Sequence, residues 1–423
     1  MAVIGPLLAA PVPGTASRCP APIAEVGGCS VATVPDSTDI AIVGAGITGL
    51  ATAHALTRDG HRGVALFDRG WPGSGDSGRS FSMVRRHYSN AVTARLAMAG
   101  TRTIADWENE VGVADAGYVR CGYLLTVPER LAAACRDNVA RLQRIGLETH
   151  FLEPDEIGEV EPELSLGGVA GAAYEPDGGF ADAQKMCLGW FAAASSRGLR
   201  HELGCGVRGL RVENGRVTGV ETDRGLTAAG TVVLATGAWT NDLLRPIGAE
   251  QPIELRRLQV VVARRDPGAP LPSAVCSDGV TNVVVRPARG RRFCAVAYAG
   301  EDPLDRADDC DHDASAGYAD VVRRSVAERY PRLADFTVER AWAGPYDITP
   351  DWNPILGPCP GIDGLYLAVG WSGHGFKLSP AVGDVVAAEV TGRMPPVDVS
   401  DLRPGRFAGG RLLRLAYGPG ARA

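Results

Sequence analysis

The residues with the clearest chemical purpose lie between positions 40 and 68, in IAIVGAGITGLATAHALTRDGHRGVALFD. An apolar run, Ile40 to Val43, leads into Gly44, Gly46 and Gly49, and a helical segment follows with Ile47 and Thr48 at its start. Gly44 permits a tight turn, Gly46 lets backbone approach a pyrophosphate, and Gly49 lets the helix lie close on the strand. The start of that helix aims free N–H groups and the positive end of its dipole at phosphate. Asp68, nineteen residues after Gly49, ends a second apolar run where a carboxylate can accept from ribose hydroxyls. This pattern predicts dinucleotide binding. The same glycine spacing recurs at Gly73, Gly75 and Gly78 and at Gly204, Gly206 and Gly209. Neither copy has a strand before it and a helix after it, so neither is read as a second nucleotide site.

A second chemical constellation closes the chain, in GWSGHGFKLSPAVG. Gly370, Gly373 and Gly375 would let backbone approach a planar ring system. A helix is expected from Pro380, with Ser379 as N-cap and Gly392 as the stop, so that its positive end points at whatever the glycine turn cradles. Lys377 sits among apolar neighbours with few routes to water, unlike most lysines. In MVRRHYS, strand alternation turns one of Arg85 and Arg86 inward.

The elements that must hold these residues are legible in outline. The chain has 423 residues, enough for two or three folding units, and its 45% hydrophobic and 22% charged content is that of a globular protein. A net charge of −6 argues against a nucleic-acid surface. The ten cysteines show no CxxC pair or zinc spacing and read as reduced, cytoplasmic thiols. The acidic stretch from Asp309 to Asp320 has calcium-loop spacing but lacks the required Gly and Glu, and is read as a solvated loop; no metal site is expected. Residues 1–38, rich in Pro, Ala and Gly, are read as a disordered extension rather than a secretion signal. No run approaches the ~20 apolar residues of a membrane span.

After the first strand–helix–strand unit, helices are expected over 91–110, 129–145, 181–198 and 318–330. Asn214-Gly215 between alternating runs predicts a hairpin. TVVLATGAW reads as a buried strand ending in Thr236 and Gly237, and residues 251–300 are strand-rich. The fold class expected is α/β: a nucleotide-binding domain built from 39–100, 181–250 and 355–400, interrupted by a mostly antiparallel domain from 101–180 and 251–354. Residues 401–423, with Arg403, Arg406, Arg411 and Arg414, are expected to form a solvated tail.

The pieces VGAGITGLATAHAL, GRSFSMVRRHYS, TVVLATGAW, YDITPDWNPILGP and GWSGHGFKLSPAVG together resemble the glycine/sarcosine/D-amino-acid oxidase group of FAD-dependent amine oxidoreductases, over nearly the whole chain after residue 38. The look is that of sarcosine-oxidase-type members, which oxidise the C–N bond of N-alkylated amino acids. The resemblance implies a glutathione-reductase-type Rossmann domain carrying FAD, with an amine or amino-acid substrate and O2 or another electron acceptor. It implies that FAD lies against Gly44, Gly46, Ile47, Thr48, Gly49, Asp68, Arg69, Gly78, Arg79, Ser80, Val207, Thr236, Gly237, Gly370, Gly373, His374, Gly375, Phe376 and Lys377. It assigns Lys377 and Arg85 to the substrate carboxylate, a clamp that orients the α-carbon and amine. Tyr346 matches a tyrosine near the substrate, or is a buried core tyrosine; His87 faces the flavin, or is a capped loop histidine.

Departures from the family pattern carry their own expectations. Gly344 stands where monomeric sarcosine oxidases hold the flavin covalently through cysteine, and residues 73–80 contain no histidine, so FAD is expected to be non-covalent. The lysine that promotes oxygen reaction falls near Cys294, and residues 279–299 contain neither Lys nor His, leaving a dehydrogenase open. Ser82 replaces a substrate-loop arginine, which argues against sarcosine itself. Two rivals remain: a flavin enzyme fed by NAD(P)H, and a flavin-bearing non-catalytic subunit. Oligomeric state has no signal here.

Overall fold

The computed structural model describes residues 34–113, 115–298, 302–413 and 415–417. Two large sheets organise them. The first has eight strands, in the order Val207–Glu213, Arg216–Thr222, Gly225–Leu234, Ser37–Val43, Val64–Asp68, Arg200–Leu203, with Leu365–Val369 also beside Gly225–Leu234 and Ile355–Pro358 at its flank. Its centre is parallel: Ser37–Val43 pairs in that sense with both neighbours. Parallel strands are covered on both faces and so read as continuous apolar runs, as in AIV, VALF and LYLAV.

Alternation divides those side chains between two cores. Ile40, Ile42, Val64 and Leu66 pack under the helices Ile47–Arg58, Ala183–Ser196 and Gly375–Val390, while Ala41, Val43, Ala65 and Phe67 point to the opposite face. The helices Ile47–Arg58 and Gly375–Val390 touch at backbone distance. A Cβ on Gly383 would stand 2.6 Å from the Ala51 carbonyl, and Thr48 and Ser379 hydroxyls are 3.1 Å apart. The hairpin at 214–215 forms as its residues demand, with φ +52° at Asn214 and +76° at Gly215.

The second sheet has nine strands and is mostly antiparallel; one parallel pair, Tyr123–Val127 beside Val275–Asp278, joins its two segments. Its longest pairing runs between Glu254–Arg264 and Thr337–Ile348. The helix Tyr318–Arg329 covers one face with Tyr318, Val322 and Val326. A small three-stranded sheet sets Met83–Val84 against Gly179–Phe180. No described helix is long and apolar enough to cross a membrane.

Three sequence expectations need correction. The described structure starts before residue 39: Val34 is buried and Ser37 is already paired with Ala228, because the first parallel strand extends along Gly225–Leu234. The rest of the expected extension, residues 1–33, lies outside the described residues. The last long helix begins at Gly375, not at Pro380, and has His374 as its N-cap residue. Glycines and a proline in GHGFKLSP read as helix breakers, yet Pro380 near the start forgoes only one intrahelical bond, and the Ser379 hydroxyl donates to the Gly375 carbonyl at 2.5 Å. The tail is not fully solvated. Arg406 is 3% exposed and grips Asp351 through two bonds of 2.8 and 2.9 Å, Arg403 pairs with Glu389, and Tyr417 is buried. Arg411 is exposed, and Arg414 lies outside the described residues.

Candidate active site

A cleft of about 1060 Å³ opens beyond the carboxyl ends of the parallel strands, bounded on its far side by the second sheet. Gly44 turns there with φ +109°, and a Cβ on it would lie 2.4 Å from the Ala235 carbonyl oxygen. Gly49 is equally constrained, its Cβ position falling 1.9 Å from the Gly44 carbonyl oxygen. The helix Ile47–Arg58 therefore starts hard against the strand end. Its N-cap is Gly46, which offers no side-chain acceptor to the first-turn N–H groups; Ser77 Oγ accepts from Ile47 at 2.9 Å. Asp68 fixes this turn from the second strand: its two oxygens accept from Ala45 N–H and Gly70 N–H, both at 2.6 Å.

The N-terminus of Gly375–Val390 opens on the same cleft through His374, Gly375, Phe376 and Lys377, and it too has no side-chain cap. Gly373 (φ +77°) is required, since a Cβ would sit 1.5 Å from the Tyr346 hydroxyl. That hydroxyl donates to the Ser372 carbonyl at 3.1 Å. Two helix N-termini whose N-cap residues, Gly46 and His374, provide no side-chain cap thus converge on one space, a strongly anion-attracting arrangement.

The cations predicted for substrate also line this cleft. Lys377 is 3% exposed and donates to the Gly373 carbonyl at 3.1 Å; Arg85 is 2% exposed, donates to the His87 carbonyl, and lies over the rings of Tyr88 and Tyr123 at 4.4 and 5.7 Å. Burial first, and the Arg85 charge second, hold the Lys377 ammonium well below the usual lysine range. Alternation sends Arg86 the other way, to Glu175 and Asp177. Two buried carboxyls complete the setting. Burial, then Asp347, pushes Asp76 up to about 8; burial raises Asp347 to about 6 although its Oδ2 accepts from Trp371 N–H at 2.9 Å. Asp76 Oδ1 is buried with no partner.

The family profile described as FAD dependent oxidoreductase, DAO, matches residues 39–389. The chain belongs to the DAO family of FAD-dependent oxidoreductases. It is 27% identical to the sarcosine oxidase subunit beta of Rhodobacter capsulatus, over 85% of this chain and 86% of that protein. It is 28% identical to the glycine oxidase of Pseudomonas aeruginosa, over 87% of this chain and 99% of that one. Among solved structures it is similar to the L-proline dehydrogenase of P. horikoshii, with a TM-score of 0.82, 25% identity and coverage of 90% of this chain and 100% of that one.

Features of the site fit the family's cofactor. The paired helix N-termini suit a pyrophosphate and an anionic ring edge, the glycine turns leave room that a Cβ would fill, and the orphaned Asp76 oxygen awaits a polar partner. Among residues expected to hold FAD, Gly44, Gly46, Ile47, Thr48, Asp68, Arg69, Arg79, Ser80, Val207, Thr236, Gly237, Gly373, His374, Gly375, Phe376 and Lys377 line the cleft, as do Arg85 and Tyr346. Arg79 donates to the carbonyls of Ser74 and Gly75, tying the loop that carries Asp76. Arg69 stacks on Trp239 at 4.4 Å and pairs with Asp308.

Four expected residues do not line it. Gly49 packs helix on strand, as above. Gly78 packs against the Gly73 carbonyl, where a Cβ would lie 2.5 Å away, and Gly370 (φ +66°) turns beside Thr349. His87 is fully buried, with Nε2 2.5 Å from the Tyr417 hydroxyl and 2.9 Å from Asn138 Nδ2, so it faces away from the cleft. Sequence reasoning missed Asp76, Asp347, Trp239 and Tyr417 as cleft residues. Asp76 was findable, since it lies in the polar loop between Gly75 and Gly78; Tyr417 carries no local signal at all.

Proposed function

We propose that this protein oxidises the C–N bond of an amino acid or N-alkyl amino acid, using FAD held without a covalent bond. The observation that carries this reading is the pair of buried cations, Arg85 and Lys377, beside the glycine turn at the uncapped helix start. A carboxylate placed between them is desolvated and fixed by charge-assisted hydrogen bonds, which orients the neighbouring amine and carbon. FAD bound in this cleft supplies the acceptor for the hydride that leaves that carbon. Tyr346 and Asp347 hold the Trp371–Gly373 backbone, and the second sheet shields the reacting carbon from water. The names of the relatives, sarcosine oxidase, glycine oxidase and L-proline dehydrogenase, support amino-acid chemistry. Gly344 supports a non-covalent cofactor, because it brings no thiol to the cleft wall.

The electron acceptor has a second reading, a dehydrogenase with an acceptor other than O2. It is favoured by Cys294, a buried thiol within a stretch that has no lysine or histidine. Anaerobic mixing of the yellow holoprotein with N-methyl and cyclic amino acids, followed by air or a dye, tests both. Flavin bleaching by an amine is expected; bleaching by no amine would favour a non-catalytic subunit, and bleaching by NADPH alone would favour the reductase reading.

A further inference from the structure

Beyond the two cations the cleft continues into a space whose walls are mostly apolar, with Ser277, beside Leu125 and Val284, as a small hydroxyl in that wall. Tyr123, Leu125 and Val127 lie on one strand, Tyr123–Val127, and alternate so that all three face the cleft, while Leu124 points into the core behind. Leu131 adds to this wall from the first turn of Glu129–Arg144, and Val296 from the strand Arg292–Ala297. The sixth piece comes from the far end of the chain. Tyr417 lines the same space, packed with Tyr123 and Leu125. Its hydroxyl is anchored from behind by His87 Nε2 at 2.5 Å and Asn138 Nδ2 at 3.2 Å. The tail reaches that position because Arg406 and Leu413 N–H are both held by the buried Asp351.

The space adjoins the carboxylate seat: Arg85 lies over the Tyr123 ring, and Met83, two residues earlier, packs against this group. It offers no charge to a ligand. Its acidic residue, Asp278, already accepts from Thr126 and Thr281 and pairs with Arg329 at 3.0 Å. Apolar walls beside a seat for carboxylate select by removing apolar surface from water.

We infer that the substrate is a carboxylated amine bearing an uncharged, mainly apolar group seated against Tyr123, Leu125, Leu131 and Tyr417. This rests on the carboxylate seat proposed above and names what lies beyond it. Glycine and sarcosine would leave the chamber unfilled, so each methylene added to a ligand should tighten binding about fourfold until the chamber is full.

The test titrates holoprotein with acetate, isovalerate and 3-phenylpropionate, reading perturbation of the flavin absorbance, which needs no turnover. Affinity is expected to rise roughly 100-fold from acetate to 3-phenylpropionate. Leu131→Trp, at a half-buried position, should remove most of that rise and leave acetate unchanged. If that variant fails to retain flavin, Tyr417→Leu takes its place and should weaken 3-phenylpropionate alone. Equal affinity for the three acids, or equal weakening of all three by the variant, would overturn the chamber while leaving the carboxylate seat intact. If no carboxylate perturbs the flavin, the seat itself is wrong and the chamber assignment goes with it.

Discussion

Lys377 should make carboxylate binding pH-dependent in a direction the structure dictates. Its ammonium is buried, faces the Arg85 guanidinium, and is held well below the usual lysine range by those two effects in that order. A carboxylate seated between the cations opposes both and lifts it. Between the lower value of the free site and the higher value of the complex, binding takes up a proton. Affinity is therefore flat below that window and falls with rising pH inside it, by up to tenfold per pH unit. Arg85 cannot contribute, because guanidinium stays charged. Lys377→Met removes one partner of a desolvated, hydrogen-bonded charge pair, a loss of about 2–4 kcal/mol or roughly 30- to 900-fold in Kd at the low end. The variant's profile should lose the lysine-linked fall, so that it converges on the wild type as pH rises. Titration with 3-phenylpropionate, at pH values where its carboxyl is ionised, followed by flavin absorbance measures this, and a ligand without an amine keeps amine titration out of the profile. Asp76 and Asp347, raised to about 8 and about 6, also lose protons as pH rises. A variant that keeps the wild-type slope would assign the dependence to those carboxyls and refute the role of Lys377.

Other consequences are independent of that one. Gly44→Ala places a Cβ 2.4 Å from the Ala235 carbonyl oxygen at φ +109°; strain of about 1–3 kcal/mol should yield a colourless protein that binds added FAD weakly by fluorescence. Asp68→Asn weakens two charge-assisted bonds to the Ala45 and Gly70 amides, and should raise the Kd for FAD while sparing carboxylate affinity in the FAD-loaded protein. Arg406→Ala leaves Asp351 buried without its cation and should cost about 3–5 kcal/mol in denaturant unfolding; a change below 1 kcal/mol would contradict the buried pair. Acid precipitation should release the yellow colour into the supernatant, and colour kept in the pellet would disprove the inference from Gly344.

Much of the fold was legible because its signals are local. Gly44, Gly46 and Gly49 followed by Asp68 specify strand, turn, helix and strand within thirty residues, and the structure shows Gly44 and Gly49 against backbone that admits no Cβ and Gly46 tight against the Ser77 hydroxyl. The Asn214-Gly215 hairpin, the helices at 129–144 and 318–329, and the alternation that separates Arg85 from Arg86 are equally local. Gly375 to Pro380 misled for the same reason. Local breakers argue against a helix there, but Gly100 packs against Lys377 and Pro380 of the segment, and Gly383 of the same helix packs on Ala51, so tertiary contact favours helix.

What the amino-acid order determined by itself was the phosphate cradle, the parallel-strand core and the residue types capable of holding a carboxylate, since each follows from spacings shorter than a turn or a strand pair. What only the tertiary structure decided was which of those residues meet. His87 lies two positions from Arg85 yet faces away, towards Tyr417, which is 330 residues distant. Asp351 captures a tail that composition alone would leave in water, and so brings Tyr417 to the cleft. Contacts of that separation arise from packing and the burial of charge, whose partners no short window of sequence contains.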